Sequence, residues 1–252
     1  MGKRMCFMVW RDMRMQIRNY QWFRRQENGA SGIWVIIYLF GFLPVWCGIF
    51  ETPGRAVTYF MTVISLLMAM LLGKICPMSL PLMMYLCPMK AQERRKYLVT
   101  AYLAKVFCAT FISVISGVIL FRFGLISWYV AVLLIFAVVM AALGRNMAGA
   151  ERAFQSSSQR DMALKERCHG YFGWMTAQQI YSIFYFIVVF SGMATGQDQG
   201  SISSVEVWLL VIFSGIYLLL TLLVLSYFKG TLEVMMNYEV VGRTEKAGRA
   251  KR

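Results

Sequence analysis

The sequence predicts an all-α membrane protein with six transmembrane helices, both termini cytoplasmic, and an N-terminal amphipathic helix at the membrane interface. Three observations carry this prediction. Of the 252 residues, 59% are hydrophobic and the mean hydropathy is +0.57, too apolar for a soluble domain of this length. Six apolar runs, at about 32–50, 56–72, 98–121, 125–143, 175–194 and 205–228, have span-like length. At a rise of ~1.5 Å per residue, ~20 such residues cover the ~30 Å hydrocarbon core. Lys and Arg collect in alternate connections: 7 in segment 1–31, 5 in 73–97, 5 in 144–174 and 6 in 229–252, which is 23 of 26. The positive-inside rule puts those four segments, and so both termini, in the cytoplasm.

The first 28 residues read as a helix lying on the membrane. Arg4, Arg11, Arg18 and Arg25 recur every seven residues and Arg14 joins them, giving one basic stripe. Met5, Val9, Met13 and Ile17 recur every four on another face. Such a helix is expected to bury its apolar side at the headgroup boundary and to turn its arginines toward phosphates or a partner. Glu27-Asn28-Gly29 breaks the helix before the first span. The chain then divides into an interfacial helix (1–28), a six-span domain (29–230) and a cytoplasmic tail (231–252) expected to be a short, fraying helix.

Glu51-Thr52-Pro53-Gly54-Arg55 is a tight turn that makes the first two spans antiparallel neighbours. The connection 73–97 is less ordinary. Pro77 and Pro88 bracket a short helix with Ser79 as N-cap and Pro81 in its first turn. This helix is expected to expose Leu80, Leu82, Met83, Met84, Tyr85 and Leu86, too few apolar residues to span a bilayer. A second helix, carrying Lys90, Glu93 and Arg94, runs on into the third span. An apolar knob beside a charged rim suits docking of a cytosolic protein, and a helix resting on lipid is the alternative. Lys105, seven residues into the third span, is expected to snorkel back to the inner headgroups.

In the long segment 144–174, Ser158-x-x-Asp161 forms a capping box, so the fourth and fifth spans are expected to extend as a helical hairpin. The one histidine, His169, has no acidic or cysteine partner at ligand spacing and reads as structural. Ser203-x-x-Glu206 caps the sixth span. The six cysteines are isolated, with no CxxC pair, and read as small buried hydrophobes rather than a disulfide or zinc framework.

The net charge of +14 flanks the apolar runs on one side, which fits anionic lipid headgroups and not nucleic acid. There is no GxxxxGK[ST]: Gly73-Lys74 is followed by Ile75. HExxH and GxSxG are also lacking, and no carboxylate falls near mid-membrane, where ion-coupled transporters place one. No catalytic or metal-binding residue is assigned, and the sequence leaves the substrate-binding residues open. Energy for any transport would come from a separate subunit.

Leu86-Cys87-Pro88-Met89-Lys90, followed by Glu93, Lys96, Tyr97 and Leu98, resembles the turn before the third span in permease subunits of ABC exporters of the ABC-2 type. That family carries Leu-Pro-(Val/Ile)-Ser-(Arg/Lys) there. This chain differs by the inserted Cys87 and by Met89 directly before Lys90. The resemblance implies a coupling helix at Leu80–Leu86, with Lys90, Glu93 and Arg94 around it, engaging a groove on an ATPase. It implies ATP and Mg in that partner and no cofactor in this chain. It also implies a second copy or related permease, and residence in a bacterial plasma membrane. The substrate would be amphipathic, a peptide or a lipid-like molecule. The reading from another class is a membrane enzyme or sensor scaffold that uses His169 and the Arg-rich face without an ATPase.

Overall fold

A computed structural model describes residues 2–19, 53–76, 80, 81, 84, 89–147, 169–194 and 204–236. These form seven α-helices and no strand among the described residues: α1 Gly2–Asn19, α2 Pro53–Ile75, α3 Ala91–Arg122, α4 Trp128–Arg145, α5 His169–Ala194, α6 Ser204–Ser226 and α7 Phe228–Met236. Among the described residues, four stretches are long and apolar enough to cross a membrane: Ala56–Gly73, Ala91–Arg122, Trp128–Arg145 and Trp208–Met236. They match the second, third, fourth and sixth expected spans, and the chain is a membrane-embedded helical protein. The fifth expected span is helical throughout as part of α5, which carries Gln178 and Gln179. The first expected span, Arg25, the Ser158 capping box and most of the tail lie outside the described residues.

Helix boundaries follow local chemistry. α3 is one helix from Ala91 to Arg122, entered from an extended Lys90, as the charged run leading into the third span requires. Between α3 and α4 the chain reverses through Phe123–Ser127, where Gly124 adopts φ +68°, a conformation that costs a residue with a Cβ. That turn delays α4 to Trp128, so Leu125 and Ile126, expected within the fourth span, belong to the connection. α6 ends at Ser226, and after a turn at Tyr227 the chain becomes α7. α7 is no fraying tail: Thr231, Leu232, Val234 and Met235 are buried, and the Phe228 ring lies 4.9 Å from that of Tyr102. The boundary expected at 230/231 therefore falls inside a packed helix.

The helices alternate in direction. The C-terminal ends of α2, α4 and α6 gather with the N-terminal ends of α3 and α5, and α1 and α7 pack at that same end. One buried cluster there draws Val9 and Met13 from α1, Ile75 from α2, Leu98 from α3, Met175 from α5 and Leu232 from α7. Because α1, the start of α3 and α7 share this end, the described flanks of the basic segments lie together, as charge alternation requires.

Along the bundle, small and hydroxylated residues set helix separations. On α2, the hydroxyls of Thr58, Thr62 and Ser65 donate to carbonyls of the preceding turn at 2.8–2.9 Å, so buried polar groups are satisfied within their own helix. At Gly73 α2 comes close to the end of α4: a Cβ there would stand 2.5 Å from the Arg145 carbonyl oxygen. Between α4, α5 and α6, tyrosines do this work. Tyr185 pairs with the Ser214 hydroxyl at 2.7 Å, and Tyr217 donates to the Ala137 carbonyl at 3.3 Å. Their rings lie 5.2 Å apart.

Gly73→Leu forces backbone against side chain where nothing flexible can yield. It is expected to lower stability by about 1–3 kcal/mol or more, read as a lower unfolding temperature in detergent, whereas Gly173→Leu, in open space, leaves it unchanged.

Candidate functional site

The end of the bundle that holds α1 carries the chain's most unusual chemistry. Lys105 is 1% exposed although it bears a cation. Its Nζ donates to the Cys76 carbonyl at 2.9 Å and to the Asn146 carbonyl at 3.5 Å. Cys76 directly follows α2 and Asn146 directly follows α4, so the ammonium sits where two helices present their unpaired C-terminal carbonyls. Both helix dipoles point their negative ends at it, each contributing up to about 2 kcal/mol in a partly buried setting. Lys105 does not snorkel to headgroups: the α2 and α4 termini lie within reach of its side chain and satisfy it.

Asn146 is itself buried. Its Nδ2 donates to the Ala142 carbonyl at 2.8 Å while its Oδ1 has no hydrogen-bond partner. Tyr102, one turn before Lys105 on α3, donates to the Leu143 carbonyl at 2.9 Å and so occupies another carbonyl of the last turn of α4. The C-terminal end of α4 is thus capped from α3 by two side chains, in place of a glycine cap.

α1 covers this node. Val9 and Met13 face inward, 1% and 5% exposed, and Tyr97 donates a 2.5 Å hydrogen bond to Asp12. A water-sized cavity remains beneath the helix, lined by Asp12, Gln16, Cys76, Tyr97 and Lys105. The Cys76 thiol lies 3.9 Å from the Met13 carbonyl. Burial pushes this thiol up to about 11, the nearby ammonium only partly offsetting it. Cys76 and Cys108 are free thiols, buried and half-buried, while Cys6 is exposed.

The expected coupling residues meet this site in part. Leu80 and Met84 are described and buried, 4% and 9% exposed, in the same cluster as Val9, Met13 and Leu98. This corrects the expectation that they are exposed: α1 and α3 supply a protein surface that covers them, which a short apolar segment does not reveal. Met84 donates its amide to the Pro81 carbonyl at 2.9 Å and is helical, whereas Leu80 and Pro81 are not. Leu82, Met83, Tyr85 and Leu86 lie outside the described residues. Lys90 is exposed, and Glu93 and Arg94 are half-buried on the first turn of α3. Arg4, Arg11, Arg14 and Arg18 are exposed on the outer side of α1.

The sequence reading missed Asp12, Cys76 and Asn146. Asp12 had a signal: it is the only acidic residue among the first 26, and it falls on the face of Val9 and Met13 rather than of the arginines. Cys76 and Asn146 act through backbone carbonyls, which leave no trace in residue type. Among the described residues no cluster of three metal-ligating side chains occurs, and His169 is the first residue of α5.

No protein-family model, curated protein or solved structure matches this chain.

Lys105→Met removes two charge-assisted hydrogen bonds at converging helix ends. It is expected to cost about 1.5–3 kcal/mol, measured by thermal unfolding in detergent. An unchanged unfolding temperature would show that the node holds nothing together. In the native protein Cys6 is expected to react with maleimide within minutes at pH 7, while Cys76, buried beneath α1 with its thiol pKa raised by that burial, stays unlabelled over the same time.

Proposed function

We propose that this chain is the transmembrane subunit of an ATP-driven exporter. It spans the membrane six times with both termini cytoplasmic, and it moves an amphipathic peptide or lipid-like substrate. ATP and Mg bind in a separate ABC ATPase subunit, and a second copy of this chain, or a related permease, completes the translocation path in a bacterial plasma membrane.

The observation that carries this reading is the seating of Leu80 and Met84. They lodge among α1, the end of α2 and the start of α3, beside the Lys105 node that joins α2 to α4. A push on the segment therefore reaches three helix ends at once. An apolar anchor with neighbouring exposed charge, as at Lys90, is what transmits motion from a soluble motor into a bundle. The sequence given has no P-loop, which is consistent with a motor on a separate chain.

The burial of Leu80 and Met84 separates two roles along the segment. Met84→Asp places a carboxylate in the core and is expected to reduce the yield of folded protein. Met83→Asp is expected to leave membrane insertion intact and to abolish co-purification with a partner ABC ATPase, together with the stimulation of its ATP hydrolysis. Failure of the wild-type chain to bind that ATPase, or transport surviving Met83→Asp, would sink the assignment. Phosphatase fused after residue 252 is expected to be inactive, and fused within 195–200 active, fixing the orientation.

A further inference from the structure

α1 has two working faces. The inner face, Val9, Asp12 and Met13, closes over Cys76, Tyr97 and Lys105. The outer face holds Arg4, Arg11, Arg14 and Arg18, all exposed, interleaved with Phe7 at 67% and Trp10 at 58% exposure. Asp12 is the one carboxylate among these residues, and it is turned inward to Tyr97. The outer face therefore presents cations and aromatic rings with no opposing charge of its own.

Position decides what such a face meets. α1 packs on α3 beside Tyr97, Ala101 and Lys105, the level at which the apolar run of the third span begins. A helix at that depth stands at the edge of the hydrocarbon layer. There exposed Phe and Trp enter the acyl boundary, and arginines reach phosphates through their long stems. Acidic headgroups add about 1 kcal/mol for each arginine near the surface.

We propose that α1 is a strap held shut by anionic lipid: its arginine face binds the phosphate groups of an acidic membrane surface, and that binding keeps its inner face closed over Cys76, Leu80 and Met84. The inner face is held by the burial of Val9 and Met13 and by the hydrogen bond between Tyr97 and Asp12, and the lipid contact on the outer face adds to that closure. Release of α1 uncovers the node and frees segment 80–84 from one of its walls. Acidic lipid thereby sets how firmly that segment is gripped. The inference goes beyond the exporter reading and holds whether or not an ATPase docks.

Cys76 reports the strap directly, because it lies beneath α1 and is 1% exposed. The test uses the full chain with Cys6, Cys47, Cys87, Cys108 and Cys168 replaced by Ser or Ala. This protein is reconstituted in vesicles of phosphatidylcholine alone or with phosphatidylglycerol at about a third of the lipid. The rate of Cys76 alkylation by N-ethylmaleimide is expected to fall at least fivefold with the acidic lipid, and 1 M salt is expected to remove most of that protection. The variant with Arg4, Arg11, Arg14 and Arg18 all changed to Gln is expected to label at the fast rate in both vesicles. Tyr97→Phe is expected to speed labelling in both while keeping the lipid dependence. Equal rates for the unmodified strap in the two vesicles would overturn the proposal and leave the arginines to a protein partner. Protection that survives the fourfold Gln change would overturn it equally.

Discussion

Lys105 places its ammonium between the terminal carbonyls of α2 and α4, and the rest of the α1 end is arranged around that contact. Taking a cation out of water costs several kcal/mol, and among the described residues no carboxylate is paired with it. Two charge-assisted hydrogen bonds and two converging helix dipoles offset the cost instead. The solution demands that α2 and α4 finish at the same height and almost in contact. Gly73 permits it by letting the Arg145 carbonyl approach where a side chain would stand. Tyr102 then occupies a further carbonyl of α4 from one turn away on α3. Three helices are held in register by Lys105 and Tyr102, and α1 covers the node with a water-sized cavity left beneath it.

The membrane-level part of the bundle relies on a different principle. Lipid offers no hydrophobic reward for bringing apolar helices together, so close backbone approach and hydrogen bonds between helices must do it. Ala131, Ala137, Ala141 and Ala142 bury almost completely on α4, the helix with neighbours on most sides. Tyr181, Tyr185 and Tyr217 fill the wider space toward α5 and α6, with each hydroxyl bonded to a neighbouring helix. On α3 the outward stripe Leu103, Phe107, Phe111, Val114 and Val118 stays exposed, which is the surface a span offers to acyl chains.

The elements were more legible in the sequence than the site. Apolar run length and flanking charge located α2, α3 and α6 closely, because both properties follow from crossing hydrocarbon. The offset at α4 arose because hydropathy counts Leu125 and Ile126 as span, while the positive φ of Gly124 keeps them in the turn. The depth of Lys105 was readable, but its fate was not, since the groups that hold it are carbonyls set by three-dimensional convergence. Leu80 and Met84 were recognised as special for their apolar character. Periodicity alone says that such residues must be covered and leaves open whether lipid, a partner or α1 covers them. For α1 the pattern separated Arg4, Arg11, Arg14 and Arg18 from Val9 and Met13. Yet it placed Ile17, which is exposed, on the apolar face and assigned that face to headgroups when Val9 and Met13 meet the protein.

The cluster at the α1 end has one more consequence, for the order in which the protein is built. Val9 and Leu232 belong to the same core although nearly the whole described sequence separates them. Contacts of such long range form late, after the intervening chain has been threaded into the membrane. α1 itself packs on α3, so its inner face stays uncovered until Tyr97 and Lys105 have been synthesised, and the shared core is complete only when α7 joins it.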